Sequence, residues 1–168
     1  MPARVREAIG SILCDRIDGA HILDLYAGSG IVSFELLSRG AAASLLVEQD
    51  ARLARRIEAE ARRIGFADRV AVRRQSVATY LAGPCGAPFD IVVADPPYRD
   101  AGDLVAVFEA VEAGGFLAPG GVVVSHRPVH RGRAVTLDPP PAWRLLRRRR
   151  YGQALFEIFL RPTDDATS

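Results

Sequence analysis

Short apolar runs alternate with amphipathic helical stretches along most of the chain. The runs are nearly continuous and bounded by turn residues, which is typical of strands buried in a parallel sheet. Apolar side chains at helical spacing predict the intervening helices. The predicted strands are His21–Leu25, Ser44–Gln49, Val70–Arg74, Phe89–Ala94 and Val122–Val124. The predicted helices are Ala3–Ile17, Ile31–Ser38, the stretch from Asp50 to Gly65, Val77–Ala82 and Ala101–Ala113.

The end of the chain has a different pattern. Strands over Trp143–Arg150 and Leu155–Leu160 flank a turn at Tyr151-Gly152-Gln153, which predicts an antiparallel hairpin. Five parallel strands that end in this hairpin predict a seven-stranded sheet in the order 3-2-1-4-5-7-6, with right-handed crossovers. The predicted fold is a doubly wound, mostly parallel, Rossmann-like α/β sheet. Strand 1 then lies beside strand 4, at the switch point where ligands bind in such sheets.

A glycine-rich loop follows the first predicted strand. It runs Tyr26-Ala27-Gly28-Ser29-Gly30, directly after a strand that contains Asp24. A dinucleotide fingerprint requires glycine or alanine at the position of Ser33. The Asp24 carboxylate would also repel a pyrophosphate at the helix N-terminus, whereas it suits the ammonium group of a methionine moiety. The loop therefore predicts a nucleotide-like cofactor that carries an amino-acid portion.

Glu48 completes the predicted cofactor site. It follows the run Leu45-Leu46-Val47, eighteen residues after Gly30, where its carboxylate can accept both ribose hydroxyls. Without Asp24 and Glu48, the two glycines would fit an ordinary strand–helix turn about equally well. The residues predicted to contact the cofactor are Asp24, Tyr26, Ala27, Gly28, Ser29, Gly30, Glu48, Gln49, Ser76, Val77 and Asp95.

The box Asp95-Pro96-Pro97-Tyr98 follows the fourth predicted strand. The two prolines fix φ, so this backbone is rigid. An exocyclic base amine is a poor nucleophile because its lone pair is delocalised into the ring. If the Asp95 carboxylate and the Pro96 carbonyl accepted its two hydrogens, the lone pair could point at a sulfonium methyl group. Tyr98 could stack on the base, which contributes roughly 1–3 kcal/mol.

The box and the glycine loop together predict methyl transfer from S-adenosylmethionine to a planar amine, with Asp95, Pro96, Pro97 and Tyr98 as the catalytic residues. In the predicted strand order both segments lie at the same carboxyl edge of the sheet. The alternative interpretation of the box is a proline-rich exit turn with a surface tyrosine.

Composition agrees with one enzyme domain. The chain has 168 residues, 49% hydrophobic and 25% charged. No apolar run approaches the ~20 residues of a membrane span, and no signal peptide is visible. Two cysteines, Cys14 and Cys85, do not form a disulfide framework and favour a cytoplasmic protein. We expect no metal site and a monomer. The predicted segments are an N-terminal helix (1–20), a cofactor-binding core (21–126), a basic hairpin (127–161) and a tail (162–168).

Charge is divided unevenly along the chain. Residues 1–126 hold 13 Arg against 16 Asp and Glu, whereas residues 127–161 hold 9 Arg against Asp138 and Glu157. All 22 Lys and Arg residues are arginine, which indicates genome composition more than function. Such a run is usually a solvated face, but the asymmetry also predicts a phosphate-binding surface. The predicted RNA contacts are Arg131, Arg133, Arg147, Arg148, Arg149 and Arg150.

The chain resembles the 16S ribosomal RNA guanine-N2 methyltransferases of the RsmD type, from Arg4 to about Leu160. The resemblance implies a class I methyltransferase that uses S-adenosylmethionine to methylate a guanine exocyclic amine in small-subunit ribosomal RNA, on RNA or the 30S particle. The matching elements are Arg4-Val5-Arg6-Glu7-Ala8, Leu23-Asp24-x-x-Ala27-Gly28-Ser29-Gly30, Glu35-Leu36-Leu37-Ser38-Arg39-Gly40-Ala41, Glu48-x-Asp50 and Asp95-Pro96-Pro97-Tyr98.

The sequence departs from the family pattern in three places. Family members usually begin with a basic segment of some tens of residues, implicated in RNA contact, whereas here Pro2 almost opens the chain. Their third strand commonly ends in an aspartate that faces the adenine amine, where this chain has Ser76. Their fifth strand often ends in glutamate, where this chain has Ser125-His126.

Two other functions stay open at the level of sequence. The first is methylation of another planar amine, such as adenine N6 in DNA or RNA, a protein glutamine or a small molecule, since the box presents acceptors to any such group. The second is a non-catalytic RNA- or protein-binding module on the same fold. Retention of Asp24, Glu48, Asp95 and Tyr98 argues against the second.

Overall fold

A computed structural model describes residues 3–96, 104–128 and 139–163. Its helices are α1 (Ala3–Ile12), α2 (Cys14–Ile17), α3 (Ile31–Ser38), α4 (Ala51–Arg63), α5 (Val77–Leu81) and α6 (Leu104–Ala113), with a 3-10 turn at Ala67–Arg69. Its strands are β1 (His21–Leu25), β2 (Ala43–Val47), β3 (Val70–Arg73), β4 (Phe89–Ala94), β5 (Leu117–Pro128), β6 (Arg144–Tyr151) and β7 (Ala154–Leu160).

The strands form one seven-stranded sheet in the order β3-β2-β1-β4-β5-β7-β6. The pairs β1–β2, β2–β3 and β4–β5 are parallel, and β7 is antiparallel to both β5 and β6. The predicted fold class and strand order are therefore confirmed. Within the described residues, no helix is both long and apolar enough to cross a membrane.

The chain divides into two compact units, residues 1–80 and 81–168. In the first unit α3 packs against β1 and β2, and α4 packs against β3. Its buried side chains include Ile22, Leu25, Leu36, Leu46 and Ile57, each with no exposed surface. This packing explains why the strands read as continuous apolar runs, since both faces of a parallel sheet are covered.

The second unit is organised around Phe108 of α6. Its ring lies 5.4 Å from that of Trp143 and 5.5 Å from that of Phe159 on β7, measured between ring centroids. The Trp143 indole N–H donates to Glu112 Oε2 at 2.7 Å, so the buried ring keeps a polar partner. The hairpin is thereby tied to α6, and its two strands are joined by a tight turn at Gly152, whose φ is 57°.

Two predicted elements differ from the structure. The single N-terminal helix is interrupted at Leu13, where the Arg16 amide donates to the Leu13 carbonyl and so forms a tighter turn. Leu13 and Ile17 nevertheless stay buried at 1% exposure, which is why the apolar periodicity continues across the break.

Strand β5 begins at Leu117, five residues before the predicted start at Val122. Gly120 and Gly121 resemble a turn in the sequence, but they lie inside the strand at an irregularity opposite Phe89 and Ile91 of β4. A Cβ on Gly121 would lie 3.0 Å from the Asp90 carbonyl oxygen. Glycine therefore permits a close approach of two backbones within the sheet.

Arg69 joins the end of α3 to the segment that leads into β2. Its Nε donates to the Ala42 carbonyl at 3.2 Å, one Nη donates to the Leu37 carbonyl at 3.0 Å, and the same Nη donates to the Ala41 carbonyl. One of these acceptors, the Leu37 carbonyl, lies in the last turn of α3, where it also accepts from the Gly40 amide at 3.3 Å. The guanidinium also lies 5.0 Å from the centre of the Phe66 ring.

We expect Arg69→Ala to lower the free energy of unfolding by about 1.5–3 kcal/mol, because three carbonyls lose a charged donor. Arg63→Ala is the matched control: its side chain is 70% exposed and pairs only with Glu60 among the described residues, so about 1 kcal/mol or less is expected. Urea unfolding of both variants measures the difference. Equal shifts in the two midpoints would mean that the Arg69 contacts contribute no more than a surface ion pair.

Candidate active site

A chain of three hydrogen-bonded side chains links β2, α3 and β1, so it joins the strand and the helix that flank the glycine-rich loop. Ser44 Oγ donates to Ser33 Oγ at 2.9 Å, and Ser33 Oγ donates to Asp24 Oδ2 at 2.6 Å. Asp24 is only 2% exposed, while both serines are buried. One oxygen of the carboxylate is therefore fixed by a hydroxyl from the first turns of α3. This contact explains the serine at position 33, which the sequence showed only as a departure from a dinucleotide fingerprint.

Glu48 is connected to the same loop from the end of β2. Its Oε2 accepts from the Gly28 amide at 2.8 Å, and its Oε1 accepts from the Asp50 amide at 2.8 Å. Both oxygens are thus oriented, and the side chain retains 8% exposure. A carboxylate offers about four lone-pair sites, so the two remaining sites can accept ribose hydroxyls.

The loop backbone adopts left-handed conformations at three of its five residues. Gly28 and Gly30 have φ of 58° and 72°, and Tyr26 has φ of 62°, which is unusual for an aromatic residue. Gly30 is also tightly packed, since a Cβ there would lie 3.1 Å from Leu46. Apart from its chain neighbours, the described residues would bring only the Tyr26 carbonyl oxygen within 4 Å of a Cβ on Gly28, at 3.9 Å.

These observations test whether the residues fit S-adenosylmethionine. The loop presents open backbone at Gly28, next to an oriented carboxylate at Glu48, and it follows the strand that carries the buried Asp24 carboxylate. This donor and acceptor set matches a ligand with ribose hydroxyls and an ammonium group, and it lacks the phosphate-binding character of a dinucleotide loop. The residues fit the group.

Ser76 has a structural role that the sequence did not indicate. Its Oγ accepts from the Thr79 amide at 3.1 Å and lies 2.8 Å from Thr79 Oγ1, so it caps the N-terminus of α5. Val77, the first residue of that helix, is 5% exposed, whereas Gln49 is exposed. The predicted cofactor contacts of Gln49, Ser76 and Val77 stay predictions.

Asp95 is held from the neighbouring strand β5. Its Oδ1 lies 2.7 Å from His126 Nδ1, and its side chain is 25% exposed. Of the four residues in the predicted catalytic box, the structure describes Asp95 and Pro96, whereas Pro97 and Tyr98 lie outside the described residues. Sequence analysis identified His126 only as a departure from the family pattern and did not pair it with Asp95, which lies 31 positions away.

The arginines of β6 differ in their surroundings. Arg148 Nε donates to Glu157 Oε1 at 2.7 Å, and Glu157, which has no exposed surface, also pairs with the buried Arg127 at 3.0 Å. Two cations therefore compensate this buried carboxylate. Arg147, Arg149 and Arg150 are exposed on the edge strand, whereas the predicted contacts Arg131 and Arg133 lie outside the described residues.

No metal-binding cluster was found in residues 3–96, 104–128 and 139–163, since no group of three or more His, Cys, Asp or Glu side chains converges there. The two cysteines in this part of the chain are free thiols. Partial burial raises the pKa of the Cys85 thiol, which favours its protonated, unreactive form.

Comparison with known proteins gives matches along nearly the whole chain. The model of a family described as conserved hypothetical protein 95 matches residues 1–160. The chain is 31% identical over 158 residues to ribosomal RNA small subunit methyltransferase D of Escherichia coli strain K12, which covers 94% of this chain and 77% of that protein.

Solved structures give matching folds. The Escherichia coli protein yhhF superposes with a TM-score of 0.88 at 30% identity, covering 97% of this chain and 89% of that one. An RNA methyltransferase from Salinibacter ruber, in complex with S-adenosyl-L-homocysteine, superposes with a TM-score of 0.68 at 20% identity. That match covers 100% of this chain and 97% of the other, and at this identity it shows the fold alone.

Proposed function

Since this chain belongs to the RsmD-type family of ribosomal RNA methyltransferases, we propose that it transfers a methyl group from S-adenosylmethionine to the exocyclic N2 amine of a guanine in small-subunit ribosomal RNA. The observation that carries the proposal is the paired arrangement of Glu48 and Asp24 around the loop at Gly28. A ribosomal RNA substrate implies a cytoplasmic enzyme.

In this proposal the cofactor lies against the loop after β1, between the carboxylates of Glu48 and Asp24. Glu48 accepts the ribose hydroxyls with the lone pairs that Gly28 and Asp50 do not use. The Asp24 carboxylate provides negative charge for the ammonium group, and Ser33 holds it in position. When bound, S-adenosylmethionine supplies an electrophilic methyl group on a sulfonium.

The amine is bound by Asp95 and Pro96. The Asp95 carboxylate and the Pro96 carbonyl accept its two hydrogens, which directs the nitrogen lone pair away from the ring. As positive charge develops on nitrogen, Asp95 offsets it electrostatically, and this effect is strongest in the transition state. Because a guanine amine is shielded in a base pair or stack, the base has to be unstacked to reach these groups.

The proposal is tested by incubating the protein with S-adenosylmethionine labelled in its methyl group and three substrates: 30S particles, naked 16S ribosomal RNA and genomic DNA. We expect label in ribosomal RNA, as particle or naked RNA. Label in DNA alone, or in none of the three, would contradict the proposal. The Asp95→Ala variant gives the background.

We further propose that the exposed arginines of β6 bind RNA phosphates. Arg147 and Arg149 are the best candidates because both are exposed, whereas Arg148 is committed to the buried Glu157. The Arg147→Ala/Arg149→Ala double variant should weaken RNA binding. The slope of log affinity against log salt concentration should become shallower by about 0.7–0.9 for each phosphate contact that is lost.

A matched control is the Arg55→Ala/Arg56→Ala double variant, which removes two exposed arginines from α4. It should leave the salt dependence of RNA binding close to that of the wild type. Fluorescence anisotropy at several salt concentrations measures both. If the slope of log affinity against log salt concentration falls equally in the two double variants, the effect comes from net charge. The arginines of β6 are then an ordinary solvated edge.

A further inference from the structure

The parallel register of β4 and β5 places His126 beside Asp95, the first residue of the predicted catalytic box. Ala94 of β4 pairs with Ser125 of β5. The residues that follow them, Asp95 and His126, are therefore neighbours across the two strands. Their side chains meet at 2.7 Å between Oδ1 and Nδ1. The imidazole is almost wholly buried, at 8% exposure for the residue.

The histidine is separate from the arginine cluster of the same strand. Side chains alternate between the two faces of a strand, so Ser125 and Arg127 lie on the face opposite to His126. Glu157 pairs in register with Ser125 and binds Arg127, which places that ion pair on the other face. The contact with Asp95 is therefore not part of the buried Glu157 network.

The hydrogen bond fixes the tautomer of the imidazole. An ionised carboxylate only accepts, so Nδ1 carries the hydrogen that Asp95 Oδ1 receives. Nε2 is buried and has no hydrogen-bond partner among the described residues. With the hydrogen on Nδ1, Nε2 is the ring atom left without a contact in this part of the chain.

We propose that His126 is a positioning residue for Asp95 in the proposed methyl transfer. Its Nδ1–H holds one carboxylate oxygen and so limits rotation of the carboxylate about the Cβ–Cγ bond. Because the strand backbone fixes the imidazole and burial restricts it, the acceptor geometry toward the amine exists before substrate binds. The proposal rests on the function proposed above, since positioning has this use only if Asp95 holds an amine.

Three variants test the role of the hydrogen bond in turnover. His126→Leu removes the donor, His126→Asn places an amide N–H near the position of Nδ1, and His126→Gln places it near that of Nε2. In single-turnover assays we expect His126→Leu and His126→Gln to slow methyl transfer by about tenfold or more, because a misplaced catalytic group is costly. His126→Asn should recover most of the rate. Affinity for S-adenosylhomocysteine should stay unchanged in all three.

A double-variant cycle separates positioning from a general structural effect. In the Asp95→Ala background the carboxylate is absent, so His126→Leu should have little further effect on the rate. If the two losses multiply, or if His126→Asn is as slow as His126→Leu, the positioning role is wrong.

Nuclear magnetic resonance tests the contact without any activity. Long-range imidazole ¹H–¹⁵N spectra should show His126 as the Nδ1–H tautomer, and Asp95→Ala should change that pattern. The His126→Asn variant assigns the signal. An Nε2–H tautomer in the wild type would overturn the inference, even if the protein methylates RNA. An Nδ1–H tautomer in a protein that methylates no RNA would count against the proposed function alone.

Discussion

Replacing Asp95 with alanine should lower the single-turnover rate of methyl transfer by about a hundredfold or more, the effect expected for a lost electrostatic group in the transition state. Affinity for S-adenosylhomocysteine should change little, because the proposed ribose and ammonium contacts are those of Glu48 and Asp24. A rapid-quench assay with ribosomal RNA measures the rate, and calorimetry measures the affinity.

Tyr98 gives the contrast for that result. If its ring only stacks on the base, Tyr98→Ala should raise the apparent KM for RNA and reduce turnover less than Asp95→Ala does. Tyr98→Phe should stay close to wild type, since stacking survives. Near-normal turnover in Asp95→Ala would mean that the box is a structural turn and that the proposed mechanism is wrong.

Replacing Glu48 with alanine should weaken binding of S-adenosylhomocysteine by about ten- to a hundredfold, which corresponds to roughly 1.5–3 kcal/mol for hydrogen bonds to a charged group. Two effects contribute: the ribose hydroxyls lose their acceptor, and the Gly28 amide loses the oxygen that orients the loop. Isothermal titration calorimetry measures the dissociation constant.

The control for this variant is Asp50→Ala. Asp50 caps α4 through the amides of Arg52 and Leu53, which also hold the pKa of its carboxyl below the ordinary value. Removing it should affect stability but leave cofactor affinity nearly unchanged. Because the folded pKa is depressed, this contribution to stability is present above the unfolded pKa and is lost as pH falls through the folded one. If Glu48→Ala binds as tightly as Asp50→Ala, the ribose assignment is wrong.

The sheet could be predicted from sequence because its strands are buried on both faces. Runs such as Phe89–Ala94 have no polar alternation to confuse their assignment, and the hairpin at Gly152 follows from its turn residues. The errors arose where local signals conflict with tertiary contacts. Gly121 looks like a turn residue, yet it lies inside β5. Glycine is suited to this position because the Asp90 backbone approaches it closely. The break at Leu13 leaves the apolar pattern intact, so periodicity could not reveal it.

The site could be predicted only in part, because sequence shows which residue types follow each strand but not which side chains meet. Asp24 was identified by its position near the end of an apolar strand, and Glu48 by its position directly after one. Their partners Ser33 and Gly28 became visible only with the fold, since those contacts depend on side-chain direction across neighbouring elements. The same holds for His126, which is 31 residues from Asp95 in the chain.

The central claim, methylation of a guanine N2 amine in small-subunit ribosomal RNA, is tested most directly by mass spectrometry of nucleosides. The 16S ribosomal RNA of cells that lack this protein is digested before and after incubation of their 30S particles with the purified protein and S-adenosylmethionine. We expect the RNA to be deficient in N2-methylguanosine and the protein, but not its Asp95→Ala variant, to restore it. An unchanged content of N2-methylguanosine, or restoration of methylated adenosine instead, would contradict the account.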